Sequence, residues 1–404
     1  MPAQDRASEA GAAGFPVVGM VGGGQLARMT QPAAIALGVR LRVLAESKDA
    51  SAAHVVADAP LGNARDAVAV SSFAAGCDVL TFDHEHVPHE ILRSLEADGV
   101  AVRPGAQALL HAQDKAVMRS RLTALGAPVP RWRVVHDAAG LAAFAAEVGL
   151  PVVLKTPRGG YDGKGVLVVR QLADADGWLA RLAAEPSAGS DGGSDGVGLL
   201  AEEHVPFRRE LAALVARSPS GQAAAWPVVQ TLQVDGICRE VVAPAPHLAP
   251  HVAAAATDVA LRVAGELGVV GVLAVELFET ADGTVLVNEL AMRPHNSGHW
   301  TIEGAVTSQF EQHLRAVLDL PLGDPRARAP WSAMVNVLGG PYEDLYRSYL
   351  HVMARDPGVK VHMYGKEVRP GRKVGHVTVV GDDLADCLAR ARHAADFITG
   401  RIDE

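Results

Sequence analysis

Cysteine is nearly absent from this 404-residue chain: Cys77, Cys238 and Cys387 lie far apart and form no CxxC pair. So sparse and odd a count excludes a disulfide framework and a structural zinc site, and fits a reducing cytoplasm. Long apolar runs are missing too. None approaches the roughly 18 residues that a membrane span needs, so the sequence predicts no membrane partner. An excess of positive charge is also lacking. The formal net charge is −9, which argues against a nucleic-acid binder and its basic footprint. A locally basic pocket for a phosphorylated small molecule stays open. Aromatics are scarce at 4%, but 49% of residues are apolar and 21% charged, the profile of a soluble globular protein. The N-terminal MPAQDRASEAGAAG mixes charges without an apolar core, and reads as a disordered tail over 1–14 rather than a signal peptide.

What is present is length enough for two or three domains and a sizeable core. From residue 15 to about 104, short strand signals (17–21, 41–44, 79–82 and 101–102) alternate with helical ones such as 25–37. That alternation predicts a parallel sheet with helices on both faces. The segment 114–125, DKAVMRSRLTAL, predicts a helix stopped by Gly126 and Pro128. Strands at 152–155 and 165–169 and a helix at 173–184 follow. The stretch 186–198, PSAGSDGGSDGVG, reads as a mobile surface insertion. Strands at 199–202, 210–215 and 223–229 precede a helix at 252–267 and a hairpin over 272–290. Past Pro321 the elements shorten and end in a basic loop and a helix near 384–398. The pattern divides the chain into domains at 15–104, 105–320 and 321–404, with no internal repeat.

Four segments carry chemistry. In 152–166, VVLKTPRGGYDGKGV, a buried strand delivers Lys155 to a glycine-rich cationic loop. An anion held under a flexible lid and a solvated hairpin are both open readings. Gly22-Gly23-Gly24-Gln25-Leu26-Ala27 fits GxGxxA between a strand and a helix, with Glu46 ending the next strand. This is the dinucleotide fingerprint, yet such a turn also serves tight helix packing or any anion at a helix N-terminus. In 275–290, VELFETADGTVLVNEL, Asp282-Gly283 marks a two-residue hairpin turn. Counting outward sets Glu276 opposite Glu289, with Ala274, Phe278, Val287 and Ala291 on the glutamates' face and Asn288 on the other unless a bulge turns it. Opposed like charges destabilise a hairpin unless a cation sits between them, and Mg²⁺ uses one or two carboxylates plus substrate phosphates. The fourth segment is a donor-rich loop, Arg293-Pro294-His295-Asn296-Ser297-Gly298-His299-Trp300, placed where function tends to sit.

Two charged clusters are weaker signals. Lys366-Glu367-Val368-Arg369-Pro370-Gly371-Arg372-Lys373 gathers four cations at a Pro-Gly turn, either an anion clamp or a solvated run. Asp83-His84-Glu85-His86 ends a strand, with the histidines on one face and the acids on the other. A ligand-contacting strand end suits this run better than a transition-metal site.

Taken in order, GGGQLARM, TFDHEHV, KTPRGGYDGKG, NELAMRPHNSGHW and KEVRPGRKVGH resemble 5-(carboxyamino)imidazole ribonucleotide synthetase, a family of the ATP-grasp superfamily in purine biosynthesis. The match spans about residues 17–380. GGYDGKG and RPHNSGHW together are highly specific, and GGGQL alone is not. The resemblance implies an α/β and α+β chain: a Rossmann-like N-terminal domain, an ATP-grasp domain with a lid at about 130–205, and a small β-rich C-terminal domain. It implies a homodimeric enzyme that carboxylates the exocyclic amine of 5-aminoimidazole ribonucleotide with ATP, Mg²⁺ and bicarbonate.

Carried over residue by residue, the resemblance places Lys155 and Gly160, Tyr161, Asp162, Gly163, Lys164, Gly165 and Val166 over the ATP phosphates. Glu202, Glu203, His204 and Val205 would meet adenine, Glu210 the ribose, and Lys115 would stand where the family's helix offers an arginine. Gln233, Asn288 and Glu289 join the nucleotide site, and Glu276 and Glu289 match the magnesium ligands. Gln25, Leu26, Glu85, His86, Tyr161, Asp162, Lys164, Lys366, Arg372 and Lys373 would face the ribonucleotide. Arg293, His295 and Asn296, with Lys366, match the bicarbonate pocket. Asp162, Tyr161, Arg293 and Lys366 are the catalytic candidates, with Asp162 the base. Met292 replaces the usual proline of NELAPR, and Gln233 stands where some members have a histidine. The resemblance assigns the glycine turn to the acceptor's sugar-phosphate instead of NAD. Another ATP-grasp ligase, a formate-using transformylase, a NAD-dependent dehydrogenase and a non-catalytic nucleotide-binding regulator are the rival readings.

Overall fold

The computed structural model describes residues 14–159, 165–184 and 198–403. Gly160 to Lys164, almost all of the low-complexity insertion and all of the expected tail but Gly14 lie outside the described residues.

Three sheets organise the chain. In the first, β1 (Val17–Val21), β2 (Arg40–Leu44) and β3 (Val79–Phe82) pair in parallel in the order β2-β1-β3. β1 and β3 are buried along their whole length, as their unbroken apolar runs require of a parallel sheet covered on both faces. Helix Gln25–Leu37 follows β1 and ends at Gly38, whose φ of +72° closes it in the left-handed conformation. The expected strand at 101–102 is reduced to one bridge between Leu80 and Val102.

The second sheet is a four-stranded antiparallel unit made of β4 (Trp132–Val135), β5 (Val152–Lys155), β6 (Val166–Val169) and β7 (Leu199–Glu203), in the order β4-β7-β5-β6. Helix Ala138–Val148 packs on it through Leu141 and Phe144.

The third sheet has nine strands: β8 (Phe207–Arg217), β9 (Ala223–Ala225), β10 (Val229–Val234), β11 (Ile237–Ala243), β12 (Gly271–Thr280), β13 (Val285–Ala291), β14 (Trp331–Leu338), β15 (Lys360–Met363) and β16 (Lys373–Gly381). Its order is β13-β12-β8-β10-β11-β14-β16-β15, with β9 on β8. Because β11 pairs with β14, the sheet runs unbroken across residue 320. One strand expected at 223–229 is two, since Trp226-Pro227 interrupts it and proline has no N–H for the ladder. The β10–β11 hairpin was not foreseen. Asp235 and Gly236, both at positive φ (53° and 74°), form its two-residue turn.

β8 is buried on both faces from Leu211 to Ala216. Leu211, Ala213 and Val215 meet helix Pro250–Glu266 through Val252, Ala256 and Val259. The small Ala212 and Ala216, with Leu214, make room on the other face for Trp226 and Trp300. That second face carries the site.

Candidate active site

β12 and β13 set Glu276 opposite Glu289, the expected pair reached by a different route. The turn is a three-residue loop. Thr280 N donates to Thr284 O at 2.9 Å, and Gly283 takes φ +82°. This moves the register by one, so Phe278 faces Leu286 and Leu277 faces Val287. A bulge at Asn288 moves it back. The bulge has two consequences. Asn288 Oδ1 accepts from Lys155 Nζ at 3.0 Å, and Val287, expected beside the glutamates, instead packs in the opposite core with Leu273 and Val275.

Glu210 lies on the same face, since β8 pairs Glu210 with Phe278 and Ala212 with Glu276. Three carboxylates therefore share one surface. His295 Nε2 meets Glu276 at 3.2 Å and Lys115 Nζ meets Glu289 at 3.3 Å. Burial and then the charge on Glu276 push the Glu210 carboxyl up to about 7, although the Gln233 backbone N–H bonds to it. Burial also pushes Glu276 upward, but His295, Lys373 and Arg293 outweigh it and hold that carboxyl below its usual range. Among the described residues, no group of three or more His, Cys, Asp or Glu side chains is placed to hold a metal ion by itself. The opposed pair Glu276 and Glu289 fits a hard dication that takes one or two carboxylates and completes its shell from substrate oxygens.

A second carboxylate cluster lies on the four-stranded sheet. Glu202 Oε1 bonds Arg119 Nε at 2.5 Å, and its Oε2 meets Lys155 Nζ at 2.7 Å. The side chains of Arg119 and Glu202 are only 0% and 3% exposed. Burial would raise the Glu202 carboxyl, but the two cations outweigh it and lower it. Arg119 Nη2 also donates to Asn288 O at 2.7 Å, which ties this cluster to β13. The Glu202 carboxylate is thus committed inside the protein, which leaves backbone atoms near it as the groups that could meet a base. Glu203 binds Arg131 through both oxygens, at 2.9 Å to its N–H and 2.6 Å to Nε. His204 is exposed and Val205 buried. Lys115, the first residue of a helix that Asp114 caps through Ala116 N and Val117 N, donates to Gly159 O at 3.1 Å at the base of the glycine loop. Tyr161, Asp162 and Lys164, with Gly160 and Gly163, are outside the described residues. The flanking Gly159 and Gly165 both take positive φ (71° and 76°), and Val166 opens β6.

At the carboxyl end of the parallel sheet, the turn before helix Gln25–Leu37 is already filled by protein carboxylates. Asp83 Oδ1 accepts from Ala27 N at 2.8 Å, and a Cβ on Gly24 would fall 2.0 Å from Asp83 Oδ2. Gly23 N donates to Glu46 Oε2 at 3.2 Å, while Glu46 Oε1 meets His84 Nε2 at 3.3 Å. Glu46, the acid of the dinucleotide fingerprint, therefore turns back on its own glycine turn. Burial works against both charges of that pair, but their mutual hydrogen bond lowers Glu46 and raises His84. Leu26 is buried, and Gln25 Oε1 accepts from Lys366 Nζ, bringing the basic C-terminal loop onto the turn. Glu85 Oε2 pairs with Arg293 Nε at 2.7 Å, and the Glu85 Oε1 atom is buried without a hydrogen-bond partner among the described residues. The rings of His84 and His86 stack 5.1 Å apart. Arg372 is exposed and donates to Glu367 O at 3.1 Å. Lys373 opens β16.

The 293–300 loop joins these groups. Its Asn296 amide is buried and exchanges two hydrogen bonds, of 3.0 and 2.8 Å, with Asn336 of β14. Sequence reasoning missed Arg119, Asn336 and Gln309. Arg119 had a signal, since it lies one helical turn from Lys115 among the apolar Met118 and Leu122. Asn336 had none, because its partners are 40 and 98 residues away, and Gln309 had none, because no periodicity or turn signal aims its side chain back at the 293–300 loop.

Three family models match the chain: ribonucleotide synthetase preATP-grasp domain over residues 16–113, ATP-grasp domain over 120–310, and phosphoribosylaminoimidazole carboxylase C-terminal domain over 332–390. The chain is 57% identical over 387 residues to the N5-carboxyaminoimidazole ribonucleotide synthase of Mycobacterium tuberculosis, covering 95% of this chain and 88% of that one. It is 48% identical to the Corynebacterium ammoniagenes synthase, over 95% and 92% of the two chains. Among solved structures it resembles the Aspergillus clavatus N5-carboxyaminoimidazole synthase in complex with ADP and 5-aminoimidazole ribonucleotide (TM-score 0.84, 31% identity, 96% and 99% covered). It also resembles the N5-carboxyaminoimidazole ribonucleotide synthetase of Thermus thermophilus (TM-score 0.81, 38% identity, 96% and 99% covered). At these identities and coverages, the chain belongs to the N5-carboxyaminoimidazole ribonucleotide synthase family.

Proposed function

We propose that this chain uses ATP and bicarbonate to carboxylate the exocyclic amine of 5-aminoimidazole ribonucleotide, releasing ADP and phosphate. The observation that supports this most is the opposed Glu276–Glu289 pair. It lies between the lysine that ends β5 and the Arg293–His295 loop, where a nucleotide's phosphates and a small anion would meet. Glu276 and Glu289 would hold Mg²⁺, which when bound neutralises phosphate charge and orients the γ-phosphoryl group.

Bicarbonate is a poor electrophile until its oxygen takes the γ-phosphoryl group, forming carboxyphosphate as ADP leaves. Arg293, His295 and Lys366 hold that anion and stabilise developing charge. Lys115, Lys155 and the glycine-loop amides position the ATP phosphates, and Glu210 faces the ribose. The acceptor sits over Gln25, Leu26, Glu85 and His86, with its phosphate near Arg372 and Lys373. Its amine then attacks the carboxyl carbon of carboxyphosphate, or of CO₂ released from it. The nitrogen–carbon bond forms, phosphate leaves, and Asp162 takes the amine proton while Tyr161 orients the acceptor. Water must be kept from the anhydride until the amine attacks. The protein works in the cytoplasm as a homodimer on small molecules. Its three dispersed cysteines form no disulfide, and no described helix is long and apolar enough to cross a membrane.

The test follows phosphate and labelled carbamate together in Asp162→Asn. Removing a general base costs on the order of 10²–10⁴ in rate, so carboxylation should collapse while MgATP still binds and some phosphate is released uncoupled. Full carboxylation at normal stoichiometry would exclude Asp162 as the base. A wild-type protein that hydrolyses ATP without forming carbamate would sink the whole reading.

A further inference from the structure

Gln309 is fully buried at the first position of helix Gln309–Val317, yet its side chain points out of the helix and into the 293–300 loop. Its Oε1 accepts from His295 N at 2.8 Å, and its Nε2 donates to His295 O at 2.8 Å. One side-chain amide thus serves both backbone groups of a single residue, as a neighbouring strand would, just past the end of β13. The same Nε2 donates its second hydrogen to His299 Nδ1 at 2.9 Å. An amide nitrogen only donates, so His299 Nδ1 must accept and its proton must sit on Nε2.

The surroundings fit this clamp. A Cβ on Gly298 would lie 2.4 Å from Gln309 Oε1 and 2.3 Å from Leu214, so the approach needs a glycine there. Ser308 caps the helix through its side chain. His313, one turn on, bonds Thr81 of β3 at 2.8 Å and accepts from Val272 N at 3.2 Å. The clamp therefore stands on a helix fixed to two sheets. What it fixes is His295, whose ring lies between Ser297 Oγ at 2.8 Å and Glu276 at 3.2 Å.

We propose that Gln309, with His299 as its second anchor, is the positioning residue that holds His295 where it meets the bicarbonate anion. The proposal rests on the reading of His295 given above. Burial keeps His299 neutral, far below its ordinary protonation range, which preserves the bare Nδ1 that the clamp requires.

Gln309→Leu removes all three bonds at similar volume. Gln309→Glu keeps an acceptor for His295 N but sets an oxygen against His295 O and His299 Nδ1. In both, the apparent KM for bicarbonate should rise about tenfold or more while that for MgATP stays within about twofold, because orientation and not nucleotide binding is lost. A merely structural residue would lower the folded fraction and leave the bicarbonate KM of the remaining enzyme unchanged. His295→Asn is measured beside them. If it raises the bicarbonate KM and the Gln309 variants do not, the positioning role is overturned. If none of the three does, the reading of His295 falls and takes the proposal with it. Should the variants not fold, imidazole ¹⁵N–¹H correlation spectra of the wild-type protein decide. His299 should carry its proton on Nε2, and a proton on Nδ1 would overturn the clamp outright.

Discussion

Two carboxylate clusters face each other across this molecule, and they are built on opposite principles. On the four-stranded sheet, Glu202 is enclosed with Arg119 and Lys155, and its charge is neutralised within the fold. On the nine-stranded sheet, Glu210, Glu276 and Glu289 share one face with fewer cations per carboxylate, and Glu210 responds by holding its proton up to about 7. Half-buried like charges are tolerated where something outside the chain completes them. The first cluster therefore reads as structure and the second as a site. Asn288 links the two, accepting from Lys155 through its side chain and from Arg119 through its carbonyl.

The sharpest way to break this contrast is Arg119→Met. It leaves a buried glutamate with Lys155 alone, and removing one partner of a buried pair costs about 3–5 kcal/mol. Urea denaturation should show a loss of at least about 3 kcal/mol. A loss under about 1 kcal/mol, the range of an exposed pair, would mean that the triad is not what holds the two sheets together.

Glu289→Gln tests the other side and should do the reverse. Removing one of two opposed charges leaves the ligand-free fold as stable or slightly more so. Turnover of ATP at limiting Mg²⁺ should fall by roughly 10- to 100-fold or more, at least the loss seen when a metal's outer partners are disturbed. An unchanged Mg²⁺ dependence, or marked unfolding, would erase the distinction between the clusters.

The legibility of the two clusters differs for a physical reason. The Glu276–Glu289 pair is local to one hairpin, so a turn signal and a count of residues suffice to find it. Even so, the count succeeded because two departures cancel: a three-residue loop taken as two, and a bulge at Asn288 that the count left open without using it. The uncancelled part shows in Val287, which was placed on the wrong face. Strand β1, strand β3 and helix Gln25–Leu37 match their expected limits to the residue, because apolar runs and flanking glycines are local information. The Arg119–Glu202 contact joins residues 83 apart, and no periodicity encodes it. The β10–β11 hairpin was missed although Asp235-Gly236 marks it, since its strands alternate polar and apolar too weakly to stand out from a loop. Continuity of the nine-stranded sheet past residue 320 depends on the β11–β14 pairing, which only tertiary structure decides.

The smallest effect concerns Glu210 and the pH dependence of the ligand-free protein. Its carboxyl titrates at about 7 in the fold against an ordinary 4.5. Between those values the folded state binds more protons than the unfolded one, so stability falls as pH rises through that window and levels off above 7. The full shift would correspond to about 3 kcal/mol, but the side chain is only partly buried, so about 1–2 kcal/mol is the realistic span. His313, held down to about 4 by burial, works in the opposite direction and loses stability as pH falls from 6.5 toward 4. A wild-type profile alone cannot separate the two. The difference between wild type and Glu210→Gln can, because the histidine contribution cancels. Urea midpoints at about pH 5 and pH 8, which bracket that window, should show the variant losing less stability across the interval than the wild type. The Mg²⁺ brought in by saturating MgATP should shrink that difference, because a dication on Glu276 would offset the charge that raises Glu210. Identical pH profiles for the two proteins, with and without MgATP, would show that the second cluster carries no surplus charge and that the contrast with Glu202 is one of burial alone.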